Sequence, residues 1–204
     1  MEIILIVFAG LLGTTLMMAF MVLVSKLTKT PTDMVRALGS LWTRKLQNSY
    51  GIGLFILYLG GIFFSVIYYA ILRAAPLPAT YSAIWMMGTM MGVVHGMVVA
   101  LLLIIAVAEH HPLPKFQKAG LSVAVAHLGG HVVYGSAVGL VYQLAATRLA
   151  WPPGSAQVTS ADIVGFITTW TLIFGAPLLL AALVFAPWLR KESHPHHHLS
   201  GRKR

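Results

Sequence analysis

An uncharged apolar run occupies residues 119–147 and reads AGLSVAVAHLGGHVVYGSAVGLVYQLAAT. A helix needs about 20 such residues to cross a hydrocarbon core about 30 Å thick, and this run is longer than that. Four further runs also lack Lys, Arg, Asp and Glu, at 3–25, 51–72, 84–108 and 163–189. The sequence therefore predicts an all-α, polytopic membrane helix bundle with five transmembrane helices.

The composition of the whole chain supports this class. The 204 residues are 58% hydrophobic and only 9% charged, whereas soluble domains carry about 25% charged residues. These values exclude an ordinary soluble enzyme and a disordered tail protein. The absence of Cys excludes a disulfide scaffold, a thiolate nucleophile and a cysteine metal site. The first run starts without a basic segment before it, so we expect a retained helix rather than a signal peptide.

Basic residues alternate between the connections of the predicted bundle. The formal net charge is +9, and of the 14 Lys and Arg all but Arg73 and Arg148 lie in 26–50, in 109–118 or after residue 189. Because cytoplasmic loops carry the excess of Lys and Arg, we expect the N-terminus outside and the C-terminus in the cytoplasm. The expected partners are anionic lipid headgroups and other membrane proteins, and no nucleic acid.

The first cytoplasmic connection has the pattern of an amphipathic helix. Thr30-Pro31-Thr32-Asp33 provides a capping Thr, a Pro at the first position and an acid in the first turn. An apolar face then opposes a polar one, with Met34, Leu38, Leu41, Trp42 and Leu46 against Arg36, Ser40, Thr43 and Arg44. This predicts an interfacial helix on the inner leaflet. We expect a single membrane domain over 1–192 and a disordered, His-rich basic tail over 193–204.

Three histidines lie inside predicted helices, where a polar side chain is costly unless it finds a partner. His95 lies near the middle of 84–108 and His131 near the middle of 119–147, with His127 one turn from His131. Because the connection between these two helices is short, they should be neighbours. We therefore expect His95 and His131 to meet near the membrane midplane.

Glycines repeat every four residues on the histidine-bearing faces. They are Gly88, Gly92 and Gly96 on one helix and Gly135 and Gly139 on the next. Small residues at this spacing let two helices approach closely. The sequence thus predicts that these glycines are helix-packing positions.

Several interpretations of His95, His127 and His131 remain open. In a structural one, each imidazole bonds a carbonyl or a hydroxyl, the candidates being Tyr134, Ser136, Thr168 and Thr171. In a second, His95 and either His131 or His127 ligate a haem. In a third, they bind a transition-metal ion, and a proton relay is a fourth.

Methionines and further histidines extend the metal interpretation. Met87, Met91 and His95 recur every four residues, and thioether with imidazole suits Cu(I), although Met also fills gaps in apolar cores. A loose cytoplasmic site for nickel, zinc or copper is a further interpretation, alternative to an interfacial cap with a solubilising tail. Its members would be His110, His111, His194, His196, His197 and His198.

Motifs that carry enzymatic chemistry are absent from the sequence. There is no phosphate-binding Gly-rich loop with Lys, no G-x-S-x-G and no H-E-x-x-H. All five acidic residues lie at or beyond the ends of the apolar runs, which disfavours a proton-coupled transporter. Pro177 should kink the last run and keeps a small-solute transporter as an alternative.

The segment Gly130-His131-Val132-Val133-Tyr134-Gly135, continuing to Gly139 and Tyr142, contains the pattern G-H-x-x-Y-G-x-x-x-G. It resembles small multi-pass bacterial inner-membrane families of unknown function with four or five spans. The resemblance implies that His131, Tyr134 and Gly135 belong to one packed element, and it implies no activity or cofactor. We expect a non-enzymatic accessory or structural subunit of a membrane assembly, with a haem- or copper-binding protein as the first alternative.

Overall fold

A computed structural model describes residues 2–28, 33–75, 83–102, 110–117 and 120–148. The described residues form five helices and no strand: α1 (Glu2–Thr28), α2 (Met34–Thr43), α3 (Ser49–Ala74), α4 (Ala83–Leu102) and α5 (Leu121–Arg148). The chain divides into two compact units, Met1–Val158 and Thr159–Arg204, and every described residue belongs to the first.

Four of these helices are long and apolar enough to cross a membrane, namely α1, α3, α4 and α5. Their bounds match four of the predicted spans, except that α4 is described only to Leu102, whereas its predicted span runs to residue 108. The predicted span 163–189, with Pro177, Thr168 and Thr171, lies outside the described residues, and so does the tail 193–204.

The longest helix, α5, lies at the centre of this unit. Of the residues in its most apolar stretch 56% are buried, against 11% in the corresponding stretch of α3. It packs against α4 along most of its length and against α1, with a smaller contact to α3. A central helix places its polar side chains away from lipid, which is where the histidines of α5 lie.

The short helix α2 departs from its predicted form. The cap is Asp33, whose carboxylate accepts a hydrogen bond from the Arg36 backbone N–H at 3.4 Å, and Thr30 lies outside the described residues. The helix ends at Thr43, where Arg44 adopts a left-handed conformation with φ of 53°, so Leu46 is not part of it. The predicted cap and end are therefore wrong.

One residue of α2 departs from the predicted faces. Ser40, expected on the polar face, is fully buried, whereas Trp42 on the predicted membrane-facing side is 76% exposed. The reason is the packing of α2 on α3, where the backbones touch at Gly39 and Gly53. A Cβ at Gly39 would collide with the Ser49 carbonyl, and one at Gly53 with the Val35 carbonyl.

Candidate functional site: paired histidines in the bundle

The contact between α4 and α5 is made by glycine backbones. A Cβ at Gly88 would lie 2.5 Å from the Cα of Gly139, and one at Gly135 would lie 2.6 Å from the Cα of Gly92. One turn further along, a Cβ at Gly96 would lie 2.8 Å from the Cβ of His131. Real Cβ atoms do not approach so closely, so the two helices fit together only without side chains at these positions.

This close contact brings His95 of α4 and His131 of α5 together. Their ring centroids are 4.6 Å apart, with the planes inclined at 73°. Aromatic rings of α3 and α5 surround His95: the Phe64 centroid lies at 3.8 Å, Tyr134 at 6.1 Å and Tyr68 at 6.3 Å. Three helices thus contribute rings around the imidazole pair, in which His131 is buried and His95 is partly exposed.

Hydrogen bonds fix the tautomers of the two histidines of α5. The Nδ1 of His127 lies 2.7 Å from the carbonyl oxygen of Val123, and the Nδ1 of His131 lies 2.7 Å from that of His127. A carbonyl oxygen only accepts, so each Nδ1 carries the proton. In the neutral ring the Nε2 of each histidine then presents a lone pair.

Some buried polar atoms have no hydrogen-bond partner among the described residues. They are Tyr68 Oη, His95 Nδ1, His127 Nε2 and Gln143 Nε2. Both Tyr68 and His127 are 2% exposed, so water outside the bundle does not reach them. Each unpaired buried polar atom costs about 1–3 kcal/mol.

Other buried polar groups join helices to one another. Tyr134 donates its hydroxyl to the Gly61 carbonyl of α3 at 2.5 Å, and Tyr142 donates to the Ser65 carbonyl at 3.0 Å. The Gln143 side-chain oxygen accepts from the Ile84 N–H at 3.1 Å, which satisfies one of the free donors at the start of α4. The hydroxyl of Tyr134 is therefore not a partner of an imidazole, and neither is Ser136, which accepts from the Trp85 indole at 2.7 Å.

His111 is a buried histidine of a different kind. The Leu113 N–H donates to its Nδ1 at 3.0 Å, and its Nε2 lies 3.1 Å from the Ala37 carbonyl. The ring stacks edge-on with Phe116, centroid to centroid at 4.8 Å. Because both nitrogens are used, His111 fastens the connection 110–117 to α2. Its neighbour His110 is exposed, and the tail histidines lie outside the described residues.

A haem does not fit between α4 and α5. Two imidazoles on opposite faces of one haem iron each stand about 2 Å from the metal, which keeps their ring centres roughly 6 Å apart. The 4.6 Å between the His95 and His131 centroids is shorter, and the glycine surfaces that would face the macrocycle are filled by backbone. Within the described ranges, no three His, Asp or Glu side chains come close enough to hold a metal ion.

The methionines of α4 separate into two faces. Met87 and Met91 are 6% and 5% exposed, on the helix face that carries His95, whereas Met86 and Met90 are more than half exposed. Tyr68 and Gln143 are buried polar residues that sequence analysis did not single out. Their signal was available, because a phenol or an amide inside an apolar run requires a partner in the same way as a histidine.

The comparisons with known proteins place the chain in a family. The model of a family of unknown function (DUF6789) matches residues 2–151, and the chain belongs to this family. That range includes all five described helices, and the predicted span 163–189 lies beyond it. No curated protein and no solved structure matches the chain.

Proposed function

We propose that this member of the DUF6789 family is a non-enzymatic integral membrane protein that acts as an accessory subunit of a membrane assembly. The proposal is supported by the contacts that the buried groups make. Glycines of α4 and α5 pack the two helices together, and hydroxyls such as that of Tyr134 form hydrogen bonds between helices. The described carboxylates, Glu2 and Asp33, lie at helix starts in exposed ion pairs with Arg73 and Arg36. The interior described thus has neither a general acid nor a general base of the carboxylate type.

The outer face of α3 is the surface on which a partner helix would pack. Phe55, Leu59, Phe63 and Val66 follow one another at helical spacing and are 69%, 55%, 61% and 47% exposed. We name these four residues the α3 ridge. Lipid covers such a surface in a lone bundle, but large aromatic side chains also dominate protein interfaces. An accessory role therefore predicts that another membrane protein covers the α3 ridge.

We propose that the protein lies in a bacterial inner membrane, with its N-terminus outside. Trp42, 76% exposed on α2, and the exposed Leu41 and Leu46 support contact of this segment with the inner leaflet. Arg36 and Lys45 lie in the same segment and are exposed, so anionic headgroups would favour the same placement by about 1 kcal/mol for each basic residue near the surface.

The experiment is native electrophoresis of mildly solubilised membranes from cells that express the chain at its natural level. We expect the wild type to migrate in an assembly larger than a monomer, and Phe55→Ala with Phe63→Ala to shift it to a smaller species. Met86→Ala with Met90→Ala removes exposed apolar side chains from α4 and is the matched control, which should leave the assembly intact.

Two results would contradict the accessory role. One is migration of the wild type as a monomer at natural expression. The other is an equal effect of the α3 and α4 substitutions, because the α3 ridge would then have no special part in the assembly. In either case uptake by proteoliposomes, the transporter alternative, becomes the next measurement.

A further inference from the structure

Residues of α1, α2 and α3 line a cavity of about 350 Å³. The α1 residues that line it are spaced i, i+3, i+4 and i+7, so they share one helix face; they are Met18, Met21, Val22 and Ser25. The start of α2 and Tyr50 of α3 line the other sides. Small-molecule sites have volumes of about 300–1,000 Å³, so this cavity is large enough to hold part of a ligand molecule.

The wall on α1 changes from apolar to charged along the helix. Lys26 lines the cavity next to Ser25, in the last turn of α1, whereas Met18 lies eight residues earlier, about 12 Å along a helix axis. Met21 is 3% exposed and packs against α5, where a Cβ at Gly130 would lie 3.1 Å from its Sδ. A lipid has the same succession of groups, because its charged headgroup is joined to an apolar chain.

The charge around the cavity is positive on balance. Lys26 is exposed and forms no ion pair with another described residue. Asp33, which also lines the cavity, is paired with two cations, the Arg36 Nη1 at 3.6 Å and the Lys115 Nζ at 4.0 Å. Arg36 in addition lies 5.9 Å from the centroid of the Tyr50 ring. Since three described cations accompany one carboxylate here, a negatively charged headgroup complements the site.

We propose that this cavity binds one anionic phospholipid, with its phosphate at Lys26 and part of an acyl chain against Met18 and Met21. In the membrane placement proposed above, the end of α1 lies at the cytoplasmic surface, where basic residues attract anionic headgroups. A soluble phosphate would use only the charged end and would leave the apolar wall of α1 without an occupant. The inference rests on that placement and not on the accessory role.

The test measures lipid retention by native mass spectrometry of the full-length chain in detergent. Phosphatidylglycerol is the anionic probe and phosphatidylcholine, with the same acyl chains, is the zwitterionic one. We expect one phosphatidylglycerol per chain, retained at concentrations at which phosphatidylcholine is not. Inorganic phosphate in large excess should not displace the lipid, because phosphate lacks the acyl chain.

Paired charge substitutions separate a site from general attraction to a basic surface. Lys26→Gln removes the cation that lines the cavity, whereas Lys45→Gln removes an exposed cation of the same connection that does not line it. We expect Lys26→Gln to weaken retention of phosphatidylglycerol by about 5-fold, which is the effect of one basic residue near an anionic surface. Lys45→Gln should leave retention unchanged.

A second pair of substitutions tests the cavity itself. Val22→Trp places a large ring at the cavity wall. Leu23→Trp places the same ring on the next residue of α1, which is equally exposed, at 53%, but does not line the cavity. We expect Val22→Trp to abolish the retained lipid and Leu23→Trp to keep it.

Four results would overturn the proposal. They are equal retention of the two lipids, displacement by inorganic phosphate, a loss in Lys26→Gln no greater than in Lys45→Gln, and full retention in Val22→Trp. Gel filtration and helical circular dichroism establish that each variant folds. If Val22→Trp does not fold, Lys26→Gln, which changes only an exposed side chain, still decides the question.

The proposed function has separate readouts. Native gels report the assembly, and labelling of introduced thiols from outside the cell reports the membrane placement. Failure of the accessory role or of the placement is thereby distinguished from failure of the lipid site, which is measured on the purified chain.

Discussion

At the scale of single residues, the hydroxyl of Tyr134 joins the central helix α5 to α3. It donates to the Gly61 carbonyl at 2.5 Å and is 2% exposed. Hydrogen bonds between membrane helices contribute about 0.6 kcal/mol on average and at most about 1.7 kcal/mol. We expect Tyr134→Phe to lower the free energy of unfolding by about 1 kcal/mol, measured by denaturation in mixed micelles. Tyr50→Phe, at a half-exposed ring, is the control and should change nothing; an equal loss there would contradict the assignment.

A second residue-scale prediction concerns His111. One of its two hydrogen bonds, to the Ala37 carbonyl, holds the connection 110–117, which contains Lys115, against α2, and the other, from the Leu113 N–H, fixes the turn of the connection itself. Each such bond contributes roughly 1 kcal/mol, and 1–2 kcal/mol corresponds to about 5- to 30-fold in a local opening equilibrium. In His111→Ala we expect trypsin to cleave after Lys115 faster by about that factor. His110→Ala, at the exposed neighbour, should leave the rate unchanged, and an equal acceleration in both variants would refute a specific role of His111.

At the scale of elements, the glycine contact of α4 with α5 predicts that alanine lowers stability at a contact glycine and does not lower it at a glycine outside the contact. Gly92→Ala would place a Cβ 2.5 Å from the His131 carbonyl oxygen, and overpacking of this kind costs typically 1–3 kcal/mol. Gly60→Ala meets nothing within 4 Å, and Ala is favoured over Gly inside a helix by roughly 0.5–1 kcal/mol. Thermal denaturation in detergent should therefore show a lowered midpoint for Gly92→Ala and an unchanged or raised one for Gly60→Ala. An unchanged or raised midpoint for Gly92→Ala, as expected for Gly60→Ala, would show that the helices are not in backbone contact at Gly92.

The elements also show how far a sequence determines this fold. The long uncharged runs of the sequence were enough to predict α1, α3, α4 and α5, because in lipid a helix satisfies its own backbone groups whatever its neighbours are. His131, Gly135 and Gly139 are spaced four residues apart, and this spacing also predicted that the histidine lies on the face of α5 that packs against another helix. The face of α2 that is buried was not predictable, since Ser40 is covered by α3 and by His111, from elsewhere in the chain. Partners of single hydroxyls, such as Gly61 for Tyr134, depend on the tertiary contact in the same way.

At the scale of the whole molecule, the distribution of basic residues predicts how the chain crosses the membrane. The protein has no Cys, so one introduced thiol reports its own side without background. The variants are Asn48→Cys between α2 and α3, Ala75→Cys after α3 and Ser200→Cys in the tail. With a membrane-impermeant maleimide on intact cells, we expect labelling at Ala75→Cys only. Asn48→Cys and Ser200→Cys should react only after permeabilisation, because both lie on the basic side.

The three positions separate orientation from the number of spans. Labelling of Asn48→Cys but not of Ala75→Cys in intact cells would show that the orientation is the reverse of the predicted one. The basic connection 26–50 would then lie outside, against the positive-inside bias. Labelling of Ser200→Cys together with Ala75→Cys would keep the orientation and rule out five spans, because an odd number of crossings from an outer N-terminus ends in the cytoplasm. The run 163–189 is long enough to cross, and a protected Ser200→Cys is the result that a fifth crossing requires.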